Sequence, residues 1–547
     1  MFICILMHPT PELAPDYYHK NFQLLLDHAL GIYGDLLLEE ELLWIDRFQS
    51  LSVSSLCLLI RMLSRKGEWF RSDKLVYEEI EDIQTSLIEL EQQRLILLPA
   101  SLSAKTLAHE LLTKPEIVTL FPSTGKSLPK ATIIATLPEE EINTGQLQFS
   151  CIQLLHANLM PIFTSLFFTN THQDFTQFVL SDLGLNQFES YKLSRELRYF
   201  NQREELDLLL QIGELSNQYY EQRKPTLEQV SHWLSDLPPA CAHNDINKKR
   251  SHLVNKLARD LERFEQYDSA VDWFSENTLP PSRERRARIW EKQDKNEQAL
   301  QLVREMIESP YDVDEKEVAQ RIERKLLRKL GHKAKPQKKP NIEETFIELD
   351  LSQNRVEIAS QQHFSHEGWD VFYLENGFLN GLFGLAFWDC IFASVQGAFN
   401  HAYQYRPLDL YRPEFSQIRE IELDQAFKEF LNCGYETLEK RYIEKQGKAN
   451  PYVIWELFTP EHIQLAEHAL PKEKLADLFK VMLSDMRNFR AGQPDLVAFK
   501  GDQFKFIEVK GPGDKLQQNQ IRWLHAFQKI GINAEVCYVN FPRKNSK

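Results

Sequence analysis

The segment PDLVAFKGDQFKFIEVKG, residues 494–511, constrains this chain more than any other. Leu496–Phe499 and Phe504–Val509 are runs of apolar, β-branched and aromatic residues, and Gly501-Asp502 between them is a hairpin-turn pair. A two-residue loop there fixes the register: Lys500 faces Gln503, Phe499 faces Phe504, and Asp495 faces Glu508. Directly opposed side chains share a sheet face, with Cβ atoms roughly 4.5–5.5 Å apart. Strand alternation returns Lys510 to the face of Glu508. Two carboxylates and an ammonium therefore converge on one spot. Opposed like charges destabilise a sheet. Either a hard divalent cation such as Mg²⁺ or Mn²⁺, held by carboxylate oxygens, offsets the repulsion, or one acid titrates upward and stays neutral. An isolated Glu-x-Lys in a strand is ordinarily a surface ion pair. Pro494-Asp495 ahead of it and Gly511-Pro512-Gly513 behind it set this one apart.

The 547 residues leave room for three or four domains, and a balance of 43% apolar to 26% charged residues is that of a globular chain. The opening MFICILMHPTPE is apolar but short and lacks a basic stretch, so a buried first strand or helix is expected rather than a signal peptide. GFLNGLFGLAFWDCIFASV (377–395) approaches membrane-spanning length, but Asn380 and Asp389 interrupt it and no basic anchors flank it. It reads as a buried helix, with Asp389, beside Trp388, satisfying a buried donor. Seven cysteines are scattered without a Cys-x-x-Cys pair, which fits a reducing cytoplasm and provides no zinc cluster. His363 and His366 do not suffice for one either. The net charge of −15 argues against a polyanionic partner, but its distribution argues the other way. From Arg487 onward eleven basic residues, Arg490 among them, stand against Asp495, Asp502, Glu508, Asp514 and Glu535.

Ahead of the hairpin the chain reads as largely helical. Residues 1–65 carry apolar positions at helical spacing. Together with YEEIEDIQTSLIELEQQ (77–93), a solvated helical stretch, they suggest a winged-helix-like unit. Within 66–160, LSAKTLAHELLTKPEIVTLFPSTGKSLPKATIIATL places two short amphipathic helices around a Gly-Lys loop, the second starting near Leu128-Pro129. This looks like a SAP module, a helical hairpin that docks on DNA phosphates, with Lys126 and Lys130 as the contacts; a hairpin that binds nothing has the same pattern. Residues 161–340 are helical and polar-faced. Ala270 recurs as Ala299 and Pro281 as Pro310, a period near 29 that suggests short, degenerate, tetratricopeptide-like repeats. ERKLLRKLGHKAKPQKKPN (323–341) reads as a basic linker. The final domain, 341–547, opens with NIEETFIELDLS and closes with the hairpin, a helix and the strand AEVCYVNF. The expected architecture is thus multidomain, mostly α at the N-terminal side and α/β at the C-terminal side.

The pattern PD-x12-E-V-K resembles the PD-(D/E)-x-K nuclease motif. The wider segment RNFRAGQPDLVAFKGDQFKFIEVKGPGDKLQQNQIRWLHAFQKIGINAEVCYV is similar to the VRR-NUC domain of the Fanconi-associated nuclease family, and YLENGFLNGLFGLAFWDCIF to that family's upstream helical motif. The order SAP-like unit, helical repeats, nuclease domain matches the family as well. The resemblance implies a bacterial-type, structure-specific DNA nuclease that cuts near 5′ flaps and branched ends, with 5′-to-3′ exonuclease action and a role in interstrand-crosslink repair. The animal members' ubiquitin-binding zinc finger has no counterpart here, and a monomer is the expected state.

Asp495 and Glu508 are expected to be metal ligands, with the carbonyl of Val509 as a third oxygen and Lys510 orienting the attacking water or neutralising charge on the phosphorane. By resemblance the third carboxylate is Glu375, with Glu367 as its rival. Arg487 resembles a family arginine near the scissile phosphate, and Gln520 could aim at the metal-bound water. Arg487 and Arg490 are candidate DNA contacts. In YQYRPLDLYRPEF (403–415) the alternating arginines and tyrosines read as loop packing before base stacking. Three other functions fit the same residues less well: a DNA-binding scaffold with a vestigial site, a junction resolvase acting as a symmetric dimer, and a restriction-like enzyme with sequence specificity.

Overall fold

The structure is a computed structural model that describes residues 17–122, 127–142, 144, 147–173, 187–334 and 341–542. The chain divides into two compact units, Met1–Leu185 with Phe200–Gly213, and Asn186–Tyr199 with Glu214–Lys547. Among the described residues no helix is long and apolar enough to cross a membrane. Lys126, the apolar opening segment and Cys4 lie outside the described residues.

In the first unit, α1 (Tyr17–Tyr33) buries Phe22, Leu25, Leu26, Ala29 and Tyr33, the single stripe that helical periodicity predicts. α2 (Glu39–Gln49) follows, then α3 (Val53–Leu63), whose N-terminus is capped by the Ser52 hydroxyl. β1 (Trp69–Arg71) precedes α4 (Ile83–Gln92), which starts where Asp82 accepts from the backbone of Gln84 and Thr85. The 77–93 stretch is therefore helical only in its second half. β2 (Ile96–Leu97), α5 (Ala104–Thr106), α6 (Lys114–Leu120), α7 (Lys130–Ala135), β3 (Cys151–Leu154) and α8 (Met160–Phe168) complete the unit. The three strands form an antiparallel sheet in the order β1-β3-β2. They are two to four residues long, too short to show a period of two in the sequence, and pairing with β3 rather than local pattern makes them strands. Arg71 ties this sheet to α6 through Glu116 (2.7 Å) and lies over the Phe149 ring.

The helical part of the second unit comprises α9 (Arg203–Glu221), whose second half belongs to it, α10 (Leu227–Ser235), α11 (Asn244–Arg263), α12 (Tyr267–Ser275), α13 (Ser282–Lys292), α14 (Asn296–Glu308) and α15 (Val313–Lys329). The repeat is visible in the backbone. Glu265 and Asp294 both take left-handed φ (61° and 59°) just before α12 and α14, and Ala270 and Ala299 are both fully buried in those helices. ERKLLRK, expected in a linker, instead forms the last turns of α15, where Ile322 and Leu326 are buried at helical spacing.

The α/β part follows: β4 (Glu343–Glu348), α16 (Val356–His366), β5 (Asp370–Tyr373), α17 (Phe378–Ala386), α18 (Trp388–Ile391), α19 (Phe415–Ile418), α20 (Glu420–Cys433), α21 (Tyr435–Lys445), α22 (Pro460–Ala469), α23 (Lys472–Ser484), α24 (Met486–Phe489), β6 (Leu496–Lys500), β7 (Gln503–Lys510), α25 (Gln518–Ile530) and β8 (Ala534–Asn540). The five strands form a mixed sheet in the order β4-β8-β7-β6-β5, with β4 and β7 both parallel to β8. Strand alternation divides its side chains. Val497, Phe499, Phe504 and Phe506 join the large helical core with Phe378, Trp523 and Phe527. Leu496, Ala498, Ile507 and Val509 pack on the other face with Phe364 of α16. The apolar run 377–395 is buried as expected but forms two helices, broken at Phe387. Gly381 and Gly384 let α17 pack closely, since a Cβ on either would lie within 3 Å of Phe458 or Val453.

Candidate functional site

The hairpin has the register that its turn dictates. Lys500 pairs with Gln503, Phe499 with Phe504 and Leu496 with Ile507. Gly501 takes φ +60° at the first loop position, as a primed turn requires. Asp495 lies one residue before the ladder begins, and its charge acts on Glu508, one residue past Ile507. Asp495 is held on both sides by backbone: its carbonyl accepts from the Leu374 N–H (3.1 Å), and its carboxylate accepts from the Val509 N–H (2.8 Å). Glu508 is 1% exposed and takes a 2.6 Å hydrogen bond from the Lys510 ammonium, itself buried.

Burial dominates the electrostatics. It pushes Glu508 up to about 8, helped by the Asp495 charge and opposed by Lys510. It pushes Asp495 up to about 6, opposed by the Val509 N–H and helped by the charge of Glu375. Two acids this close titrate as a pair, and neither ionises at its ordinary pKa. Glu375 lies in the turn between β5 and α17, near the Tyr373 hydroxyl (3.2 Å) and Asn376. Asn376, at φ 51°, accepts from the Gln493 N–H. Gln493 in turn donates to Asn380, whose amide donates to the Arg490 carbonyl (2.9 Å each). Asn380, an interruption in an apolar run when read from sequence, thus docks the loop leading to Asp495 onto α17. Glu357, in the first turn of α16, adds its charge to the forces raising Asp495. No sequence signal distinguishes it, because an acid in a first helical turn ordinarily serves the helix dipole.

The donors around Asp495 and Glu508 are oxygens, and their mutual repulsion is what a hard divalent cation would relieve. Among the described residues no three His, Cys, Asp or Glu side chains already form a closed cage, and Lys510 takes one oxygen of Glu508. The residues fit a cation that displaces this ion pair.

Other expected residues fall elsewhere. Gln520 is the third residue of α25, and its side-chain oxygen accepts from the Gln517 N–H (2.8 Å), a capping bond in place of an active-site one. Glu367 caps the far end of α16 and pairs with His363 (3.4 Å). Asp389 does not satisfy a buried donor: the break at Phe387 turns it outward, where its side chain is 70% exposed and pairs with Arg441. Lys130 is partly exposed, its ammonium 3.3 Å from the His109 carbonyl. The 403–415 segment packs as a loop: Arg406 and Arg490 both lie over the Tyr411 ring, at 5.1 and 4.9 Å. Arg487, exposed on the one-turn helix α24, lines a recess of about 440 Å³ with His252, Tyr311, Asp312 and Arg490. Its charge is felt at Lys248 and His252 of α11, both held down chiefly by burial and then by neighbouring cations. These two basic residues were not apparent from sequence, because they approach Arg487 only in the fold.

Residues 434–541 match the VRR-NUC domain family and residues 16–97 the FAN1 HTH domain family. A Fanconi-associated nuclease 1 homolog of Pseudomonas aeruginosa is 32% identical, with 97% of each chain covered. The homolog of Oryza sativa (24% identical) and Fanconi-associated nuclease 1 of Homo sapiens (23%) match 96% and 97% of this chain, which spans 62% and 63% of their lengths. The structure superposes on that of paFAN1 bound to 2-nucleotide 5′-flap DNA with a gap, with a TM-score of 0.85 at 30% identity, covering 98% of this chain and 100% of that one. A second complex of paFAN1, with a 1-nucleotide 5′ flap, gives a TM-score of 0.83.

Proposed function

Because the chain belongs to the Fanconi-associated nuclease 1 family, we propose that Asp495, Glu508, the Val509 carbonyl and Glu375 hold a divalent cation, Mg²⁺ or Mn²⁺, at which DNA is cut. The chain is a structure-specific DNA nuclease. The specific activity carried over to it is cleavage near 5′ flaps and branched ends, with 5′-to-3′ exonuclease action, in interstrand-crosslink repair in a bacterial cytoplasm. The observation that carries the reading is the mutually repelling pair of half-buried Asp495 and buried Glu508, with Lys510 on Glu508.

A bound cation supplies Lewis-acid polarisation of the phosphate and a more acidic water. The chain's own residues do the rest. Asp495, pinned by the Val509 N–H and the Leu374 N–H, cannot swing away from its partner acid. Lys510, freed from Glu508, faces the same site and can stabilise negative charge growing on the phosphorane or orient the attacking water. Glu357 adds a further negative charge that acts on Asp495. Arg487 with Lys248, and Arg490 lining the same recess as Arg487 and His252, grip backbone phosphates. Lys130, and Lys126 in the same SAP-like region, would hold duplex DNA, and the repeats α12–α15 would position domains or grip duplex. Gln520 belongs to the cap of α25, and we assign it no chemical role. A monomer suffices, since every proposed ligand comes from one chain.

The test is cleavage of end-labelled 5′-flap DNA in Mg²⁺ or Mn²⁺. Wild type should cut near the junction. Asp495→Ala should not cut, yet should bind the same DNA in Ca²⁺ with near wild-type affinity. Flap binding without cutting by either protein would favour the scaffold reading and overturn this one. Paired cuts on opposite strands of a four-way junction would favour a resolvase.

A further inference from the structure

We propose that α11 and the end of α9 form a track for the unpaired strand of the substrate, with Tyr220 as a stacking surface for a base and Lys256 as a backbone contact. The proposal rests on the nuclease reading above and extends it from the cutting site to the path of the single strand.

α11 shows Lys248, His252 and Lys256 at positions i, i+4 and i+8, one helical face. Arg487 joins that face: His252 feels the charges of Lys248, Arg487 and Lys256 together. Eight residues of α-helix advance about 12 Å, enough to follow more than one nucleotide. Asp245, the acid at the start of this helix, pairs with Arg412. Among the described residues no carboxylate forms an ion pair with Lys256, whose ammonium lies 4.6 Å from the centre of the Tyr220 ring. Lys248, Lys256 and Arg487 are the cations of this face, with the neutral His252 between them. Asp245 and Glu414 offset part of the charge at Lys248, and cations spaced along one helix face suit a polyanion.

The two adjacent tyrosines at the end of α9 divide the work. Tyr219 turns inward: its hydroxyl donates to Asp260 of α11 (2.7 Å) and its ring packs on Trp233. That anchor leaves Tyr220 on the outer side, 61% exposed, in no buried cluster, and next to Lys256. A large aromatic ring kept in water beside a row of cations is the combination that binds single-stranded nucleic acid. The cations take the phosphates, and the ring takes a base face without regard to sequence. Duplex DNA offers no unstacked base, so the ring contributes only where a strand is unpaired.

The experiment uses the full chain with Ca²⁺ in place of the catalytic cation. Affinity is measured for a nicked duplex with no flap, with a single-nucleotide flap and with a longer flap carrying a fluorescent base analogue. Wild type should bind tighter as the flap lengthens and should quench the analogue. Tyr220→Ala should lose roughly 5- to 100-fold of affinity on the long flap, lose the quenching, and bind the unflapped nick unchanged. Tyr220→Phe should keep both. Lys256→Met should lower the salt slope by about one on the long flap alone. If Tyr220→Ala binds and quenches the long flap like wild type, the track is wrong while the nuclease reading stands. If wild type neither prefers nor, in Mn²⁺, cuts flap DNA, the nuclease reading and the track both fall.

Discussion

Replacing Asp495 by asparagine should make the metal-free protein more stable while removing its activity. Asparagine keeps the side-chain oxygen that accepts from the Val509 N–H but carries no charge. The gain follows from the displaced titration of the wild-type acid. Asp495 moves from 3.8 to about 6 on folding, so the unfolded chain releases its proton first. Stability is unaffected below the lower value, is lost as pH rises between the two, and stays reduced above about 6. A displacement of this size corresponds to about 3 kcal/mol. Part of it is shared with Glu508, whose own rise depends on the Asp495 charge, so a gain of about 1–3 kcal/mol is expected at alkaline pH. The assay is thermal unfolding in EDTA, wild type beside Asp495→Asn, on both sides of the titration. The variant should unfold a few degrees higher above pH 6 and together with wild type near pH 4. Adding Mn²⁺ should raise the wild-type midpoint and leave the variant unmoved, since a cation bound only by the native state stabilises it by mass action. An Asp495→Asn protein that unfolds at or below the wild-type temperature in EDTA at alkaline pH would refute the claim that this acid is held against its preference.

Three further outcomes are expected. His28 is half-buried between the Tyr33 and Phe167 rings, and desolvation there takes its pKa down to about 4 from 6.5. Its neutral form is what folds, so stability is intact above the upper value and falls by up to about 3 kcal/mol as pH drops toward the lower one; His28→Phe should flatten that part of a pH–stability curve. Gly384→Ala would set a Cβ 2.7 Å from Val453 and 2.9 Å from Tyr452; urea unfolding should register a loss of about 1–3 kcal/mol. Changing Lys126 and Lys130 together to glutamate should weaken DNA binding and flatten its salt dependence, with turnover on saturating DNA largely kept; unchanged affinity would dispose of the SAP-like reading.

What was legible in the sequence was local. The hairpin could be read because a two-residue turn and a period of two fix every partner from Lys500 to Leu496. The helical stripes of α1 and the paired repeats could be read because burial follows a fixed spacing. What could not be read depends on how distant segments meet. β3 becomes a strand by pairing with β1 and β2 from far upstream. Glu357 joins the site because α16 packs on the sheet beneath it. Asp389 was misplaced because the helix around it breaks one residue ahead of Trp388, which swings its side chain to Arg441. The end of α15 looked like a linker because its many cations outnumber the two apolar residues that dock it.

The charges of the second unit are sorted by task. The charges of Glu375 and Glu357 act on Asp495, those of Asp495 and Glu375 act on Glu508, and Lys510 is the cation that bonds within this group. Four acids and one lysine leave an excess of negative charge, which burial makes costly at Glu508 and in part at Asp495, while Glu375 is exposed. Along α11 the balance shifts toward cations: Lys248 and Lys256 flank His252, and Arg487 acts on both Lys248 and His252. Asp245 and Glu414 offset part of the charge at Lys248, and Asp312, Asp314 and Glu315 also line the recess beside Arg487. Neither imbalance helps the chain fold. A divalent cation would neutralise the first and a DNA strand the second, so the two excesses describe the two sides of one substrate complex. A net charge of −15 is compatible with a DNA partner because much of the acid is spread over solvated helices, while Lys248, Lys256 and Arg487 act together around His252.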